Sequence, residues 1–168
     1  MIIQKILVVL MVIGFGGVAI GIIGLISELI RNKSILKLKV EDLTIPKSKF
    51  INMVNDWCYT NIKSNNPKPT IEVKYYANKK NSGVYYTNGN SMVVYIHKTS
   101  QLIDIVNTVV HEYIHSTQKC KGFDRLYHQY TKEKGYWENP YEVECREGSE
   151  KYQYQCLKDL TTNYPILK

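Results

Sequence analysis

The chain has 168 residues, 44% of them hydrophobic, which is enough to bury one core and carry an appendage. Its 22 Lys and Arg outnumber 15 Asp and Glu, for a formal net charge of +7. The excess is spread over single lysines among Asn and Tyr (Lys63, Lys68, Lys74, Lys79, Lys80) with no dense arginine-rich run. That describes a solvated basic surface, and no nucleic-acid partner is expected from it. No internal repeat and no low-complexity tract is present.

Residues 6–26 contain no charge, only Val, Ile, Leu, Met, Phe, Ala and Gly. A helix of that length spans roughly 30 Å, the thickness of a bilayer's hydrocarbon core. Lys5 stands before the run, and Arg31, Lys33, Lys37 and Lys39 stand after it. The run is too long for a signal-peptide core, and no small-x-small cleavage site follows it. It is apolar all round, which argues against a buried helix with one polar face. The expectation is an uncleaved transmembrane helix within residues 1–30, holding the protein in a lipid bilayer through residues 6–26. The positive flank then puts the soluble part of this single-pass protein in the cytoplasm. Gly17-x-x-x-Gly21 permits close approach of a second such helix. Cys58, Cys120, Cys145 and Cys156 allow either two bridges of undefined pairing or four buried thiols, and no C-x-x-C pair occurs.

Residues 31–45 form a basic linker by composition, and a single domain is expected over residues 46–168. Pro46 stands where helices often begin, and Phe50, Ile51, Val54, Trp57, Cys58 and Ile62 follow at three- and four-residue spacing. Asn65-Asn66-Pro67-Lys68-Pro69 ends that amphipathic helix in a loop. Three β-rich stretches come next, over residues 70–77, 83–87 and 91–98. A polar turn separates the first two, and Asn88-Gly89-Asn90 is a hairpin signal between the last two. The fold class is therefore α+β, with a short antiparallel sheet ahead of the next helix.

That helix starts after Ser100, a good N-cap, and ends near Gly122. It carries His111-Glu112-Tyr113-Ile114-His115. Positions four apart share a helix face one turn apart, so both imidazoles can reach one metal ion. Glu112 is then placed to take a proton from a water at that ion. The competing interpretation is an exposed helix face that happens to carry these residues. A catalytic zinc commonly takes three protein ligands. Lys121 and Gln118 occupy the positions where the H-E-x-x-H-x-x-G-x-x-H continuation needs His and Gly, so the third ligand lies elsewhere. His128 is one candidate, within a Tyr-rich stretch (residues 123–138) suited to a cleft wall.

Glu142 and Glu144 are the others. Asn139 as N-cap and Pro140 at the first helical position open a helix reaching about Leu160. Glu142 shares a face with Cys145, Ser149, Tyr152 and Cys156, an inward side on which a carboxylate needs a partner. Glu144 shares its face with Glu147, Lys151 and Lys158, a solvent side. Asn139-x-x-Glu142 is also a capping-box pattern, which would use Glu142 structurally.

H-E-Y-I-H-S-T-Q followed by N-P-Y-E-V-E-C resembles the gluzincin branch of zinc metallopeptidases, over roughly residues 91–156. The resemblance implies a small zincin-like domain in which His111, His115 and Glu142 bind Zn2+ and Glu112 is the catalytic general base. It also implies a protein or peptide substrate, hydrolysed by a water activated on the zinc, so the expected protein is a membrane-anchored metallopeptidase. Many members of the family have Ala and then an acidic or amide residue after the second motif's glutamates; Cys145 and Arg146 stand there in this chain. Arg146 cannot accept an imidazole N–H. Tyr127, His128, Tyr130 and Tyr136 are all possible donors to an oxyanion, and the sequence does not choose among them. Two alternatives remain open: a zincin-fold binding or structural protein of the membrane that holds zinc without turnover, and a tethered module in which the motif is fortuitous.

Overall fold

A computed structural model describes residues 34–75, 82–97, 100–118 and 122–167 of the chain. The chain divides into two compact units, Met1–Leu36 and Lys37–Lys168. Only residues 34–36 of the first unit are described. The second begins inside the segment expected as a linker. Its first turn is a 3-10 helix, Val40–Asp42, with Val40 buried and its N–H donated to the Ser100 carbonyl. Isolated bridges join Lys39 to Gln101 and Leu43 to Leu167.

Helix α1, Lys47–Asn61, buries Phe50, Ile51, Val54 and Cys58, the three- and four-residue stripe of its sequence. It stops where Ile62 turns extended ahead of the Pro67 and Pro69 segment. Strands β1 (Thr70–Lys74), β2 (Gly83–Tyr86) and β3 (Ser91–Tyr95) form one sheet in the order β1-β3-β2. β2 and β3 make the expected hairpin, with Tyr86 opposite Ser91 and Asn90 in the left-handed region at φ 48°. β1, however, runs parallel to β3, with Thr70 beside Ser91 and Lys74 beside Tyr95. The sheet is thus mixed, which corrects the expected antiparallel sheet. The reason lies in β3, whose consecutive residues Met92, Val93 and Val94 are all buried. A strand apolar on both faces goes to the centre of a sheet, so β1 pairs on its far side and not with β2 across the polar turn.

Helix α2, Leu102–Thr117, runs through the middle of the unit and buries Leu102, Ile105, Val106, Val109, Val110 and Ile114. Gln101, not Ser100, is its N-cap; the Ser100 hydroxyl accepts the His97 N–H instead. Gly122 (φ 84°) and Gly135 (φ 82°) bracket a further helix, α3 (Phe123–Lys134), in the stretch expected only as a cleft wall. Helix α4, Pro140–Asn163, starts as its sequence predicts, with the Asn139 side chain accepting the Tyr141 N–H. The fully buried Asn139 amide also donates to the Tyr127 carbonyl and to Thr131 Oγ1, tying the end of α3 to the start of α4. α4 lies along α2 so closely that a Cβ at Gly148 would fall 2.4 Å from Ile114 Cδ1.

Among the described residues no helix is long and apolar enough to cross a membrane. α2 is apolar but has 16 residues, a length of about 24 Å, short of a bilayer core. α4 has 24 residues but alternates buried positions with Glu, Lys and Arg. The expectation of a transmembrane helix followed by a zincin-like domain, and with it a single-pass membrane protein with a cytoplasmic domain, is corrected accordingly. Residues 6–26, on which it rested, lie outside the described residues. Cys58, Cys145 and Cys156 are free and buried, so neither of the bridges the even cysteine count allowed forms among the described residues.

Candidate metal centre

α2 presents His111, Glu112 and His115 on the side facing a cleft of about 820 Å3. The two imidazoles meet edge to face, ring centroids 5.0 Å apart, one turn from each other as the helical repeat dictates. The first turn of α4 enters from above them. Its Glu142, 2% exposed, places Oε2 3.3 Å from His111 Nε2 and Oε1 3.3 Å from His115 Nε2. The capping box that would have engaged Glu142 is not made; the Asn139 side chain takes the Tyr141 N–H, and the glutamate turns inward.

Donor atoms bound at 2.0–2.1 Å around a tetrahedral ion stand roughly 3.3 Å apart. The separations of Glu142 from both imidazoles match that edge. Glu142 Oε2 is moreover a buried oxygen served among the described residues only by the long 3.3 Å approach of His111 Nε2, and a cation would satisfy it. Burial pushes the Glu142 carboxyl up, but hydrogen bonds from His111, His115 and Tyr127 outweigh it and hold the group far below the usual carboxylate range. For His115 burial works against the charged form, and the Glu142 and Glu112 carboxylates overturn it, raising the imidazole.

His111 and His115 also form a group with Cys145, their ligand atoms all within 4.8 Å of one another. The two sets share the imidazoles but not the same side of His115. Cys145 Sγ lies 3.3 Å from His115 Nδ1, whereas Glu142 lies against Nε2. Burial pushes the Cys145 thiol far up, and the Glu142 and Glu112 charges push it further, so its thiolate is the harder ligand to form. Nδ1 is in addition already 2.9 Å from Gln118 Oε1. A cation between the two Nε2 atoms and Glu142 therefore suits the donor set better.

Glu112 faces the same cleft, 7% exposed. Burial raises its carboxyl; the His115 and His111 imidazoles and the Tyr85 backbone N–H lower it again, and Glu142 adds to the rise. β2 runs directly over it, since a Cβ at Gly83 would stand 2.8 Å from Glu112 Cγ and from Thr108 Cγ2. Only glycine lets the strand backbone come this near.

The other sequence candidates separate. Glu144 is exposed, and its Oε2 accepts from Gln118 Nε2 at 2.8 Å. His128 is exposed on the cleft wall. Tyr130 packs on Tyr141 at 6.0 Å, and Tyr127 donates to Glu142 Oε1 at 2.6 Å. Burial and then Glu142 raise the Tyr127 phenol, and the same two causes raise that of Tyr136, which lines the cleft. Arg146 reaches away from the histidines. Its guanidinium lies 5.1 Å above the Trp137 ring and donates to the Trp137 carbonyl, fixing the aromatic rim of the cleft.

Sequence reasoning missed Gln118 and the approach of β2. The first had a local signal, a glutamine three residues past His115 on the same helix. The second had only Gly83, which reads as an ordinary strand start. No protein-family model, curated protein or solved structure matches the chain.

Proposed function

We propose that this protein is a zinc-dependent metallopeptidase of gluzincin type, with His111, His115 and Glu142 as the metal ligands and Glu112 as general base. The observation that carries the reading is the 3.3 Å approach of one buried carboxylate to both imidazole Nε2 atoms across two helices. Bound there, a zinc ion supplies a water of lowered pKa and polarises a substrate carbonyl.

The chain's own groups do the remaining work. Glu112, adjacent in sequence to one ligand and lining the same cleft as all three, would accept a proton there as general base. Burial raises the Glu112 carboxyl, which makes it a stronger base than an exposed glutamate and a competent acid when it returns the proton to the leaving amine. Glu142 keeps its negative charge, which would offset that of a bound cation. Tyr127 and Tyr136 both line the cleft and both bear on Glu142, so these two phenols are the candidates to donate to a developing oxyanion. The substrate class is a peptide, because the edge strand β2 borders the cleft through residues 83–86 and an extended chain can lie along such an edge.

The test uses the full chain. Purified protein loaded with zinc is incubated with a mixed-sequence peptide library, and cleavage is read by mass spectrometry alongside metal content. Cleavage that needs the metal and vanishes in Glu112→Gln supports the proposal. A chain that holds zinc and cleaves nothing leaves a binding protein on this fold.

A further inference from the structure

Gln118 is the C-cap of α2, three residues beyond His115. Its side-chain oxygen lies 2.9 Å from His115 Nδ1. Its side-chain nitrogen donates twice, to the Tyr141 carbonyl at 3.0 Å and to Glu144 Oε2 at 2.8 Å. Those two partners decide which way the amide faces. A backbone carbonyl and a carboxylate only accept, so both must meet the NH2 end of the amide. The oxygen end is then forced toward His115, and an oxygen accepts only from a protonated ring nitrogen. His115 must therefore carry a proton on Nδ1, so Nε2, the atom 3.3 Å from Glu142, is the ring nitrogen left for a metal to take. The Cys145 thiol closes the remaining side, with Sγ 3.6 Å from Gln118 Oε1.

We propose that Gln118 is a positioning residue for the metal centre: it fixes the tautomer and ring orientation of His115, and it is itself held by the first turn of α4 through Tyr141 and Glu144. The inference rests on the metallopeptidase reading for its purpose, though not for its geometry. It gives Glu144 a role other than ligand. Both ends of the linkage touch α4, so the segment that delivers Glu142 is the one that orients His115. An outer partner of this kind is commonly worth about 10- to 100-fold in metal affinity.

The experiment uses the full chain labelled with nitrogen-15 in histidine. In the metal-free protein a long-range proton–nitrogen correlation spectrum is expected to show Nδ1 of His115 protonated. Gln118→Met, similar in shape but without the amide, is expected to lose the Nδ1 proton in favour of Nε2–H and to weaken zinc binding about 10- to 100-fold in chelator competition. Gln118→Glu combined with Glu144→Gln returns an acceptor to Nδ1 and a donor to the second oxygen, and is expected to recover much of that affinity. The parent amide cannot reverse its ends without losing both donor contacts, so a His115 whose Nδ1 carries no proton in the unaltered protein overturns the inference whether or not any variant folds. So does zinc affinity unchanged in Gln118→Met. A parent chain that binds no zinc defeats the metallopeptidase reading instead, and the tautomer still decides the role of Gln118.

Discussion

The Glu142 carboxylate on α4 and the His115 imidazole on α2 face each other at 3.3 Å, and neither is exposed by more than a tenth. Two helices that cross so closely do so because of glycine. Gly148, one turn and a half further along α4, meets the Ile114 side chain, whose Cδ1 would have to move to admit any larger residue. The separation of carboxylate and imidazole is thus set partly by a residue with no chemistry of its own.

Replacing Gly148 with Ala puts a methyl group 2.4 Å from Ile114 Cδ1. Alanine favours a helix interior by about 1 kcal/mol over glycine, yet an overpacked core costs about 1–3 kcal/mol. Gly148→Ala is therefore expected to lower the urea midpoint. Ile114→Val removes the atom that is struck, so the double variant should regain most of the loss. Additive losses in the double variant would mean that the contact is not the cause.

Glu142→Ala deletes the carboxylate that bridges both imidazoles. Zinc affinity is expected to fall by more than the roughly 100-fold that a lost outer partner costs. Glu144→Ala, which removes one of two anchors of Gln118, is expected to cost less than 10-fold, since the Tyr141 carbonyl still holds the amide. Calorimetric titration with zinc ranks the two, and the reverse order would make Glu144 the ligand.

Glu112→Gln keeps the size and hydrogen-bonding outline of a buried side chain whose charged form is disfavoured there. Zinc content and thermal midpoint are expected to stay at the parent values while peptide hydrolysis falls about 100- to 10,000-fold, the usual worth of a general base. Atomic absorption and a peptide cleavage assay read the two quantities separately.

Acid stability of the metal-free protein follows from Glu142. Its folded carboxyl lies well below its unfolded value of about 4.3. A depressed carboxylate adds stability that is present above the unfolded pKa and is lost as pH falls through it toward the folded one. Glu112 has the opposite shift and the opposite slope. With a chelator present, Glu142→Gln is expected to flatten the loss of stability below about pH 4, read from urea midpoints across the acid range. An acid limb as steep as the parent's would place the responsible carboxylate elsewhere.

Much of the site could be seen in residues close together in the chain. His111, Glu112 and His115 belong to one helix, and a repeat of 3.6 residues puts the two imidazoles on one side whatever surrounds them. The start of α4 was equally local, since Asn139 and Pro140 satisfy and begin a helix by their own chemistry. The inward face of Glu142 came from the same periodicity, shared with Cys145, Ser149 and Cys156, all buried. The α3 helix was less legible, because its face is built from tyrosines that serve a cleft wall as readily as a helix.

What no local pattern could decide was which surfaces meet. The pairing of β1 with β3, the passage of β2 over Glu112, the turn of Arg146 toward Trp137 and the choice between Glu142 and Cys145 beside His115 all depend on how whole elements pack. Spacing along a chain dictates which side of a helix or strand a residue takes, because the backbone repeat is fixed. It cannot dictate which other element covers that side, since that is won by burial and close packing among all the elements at once.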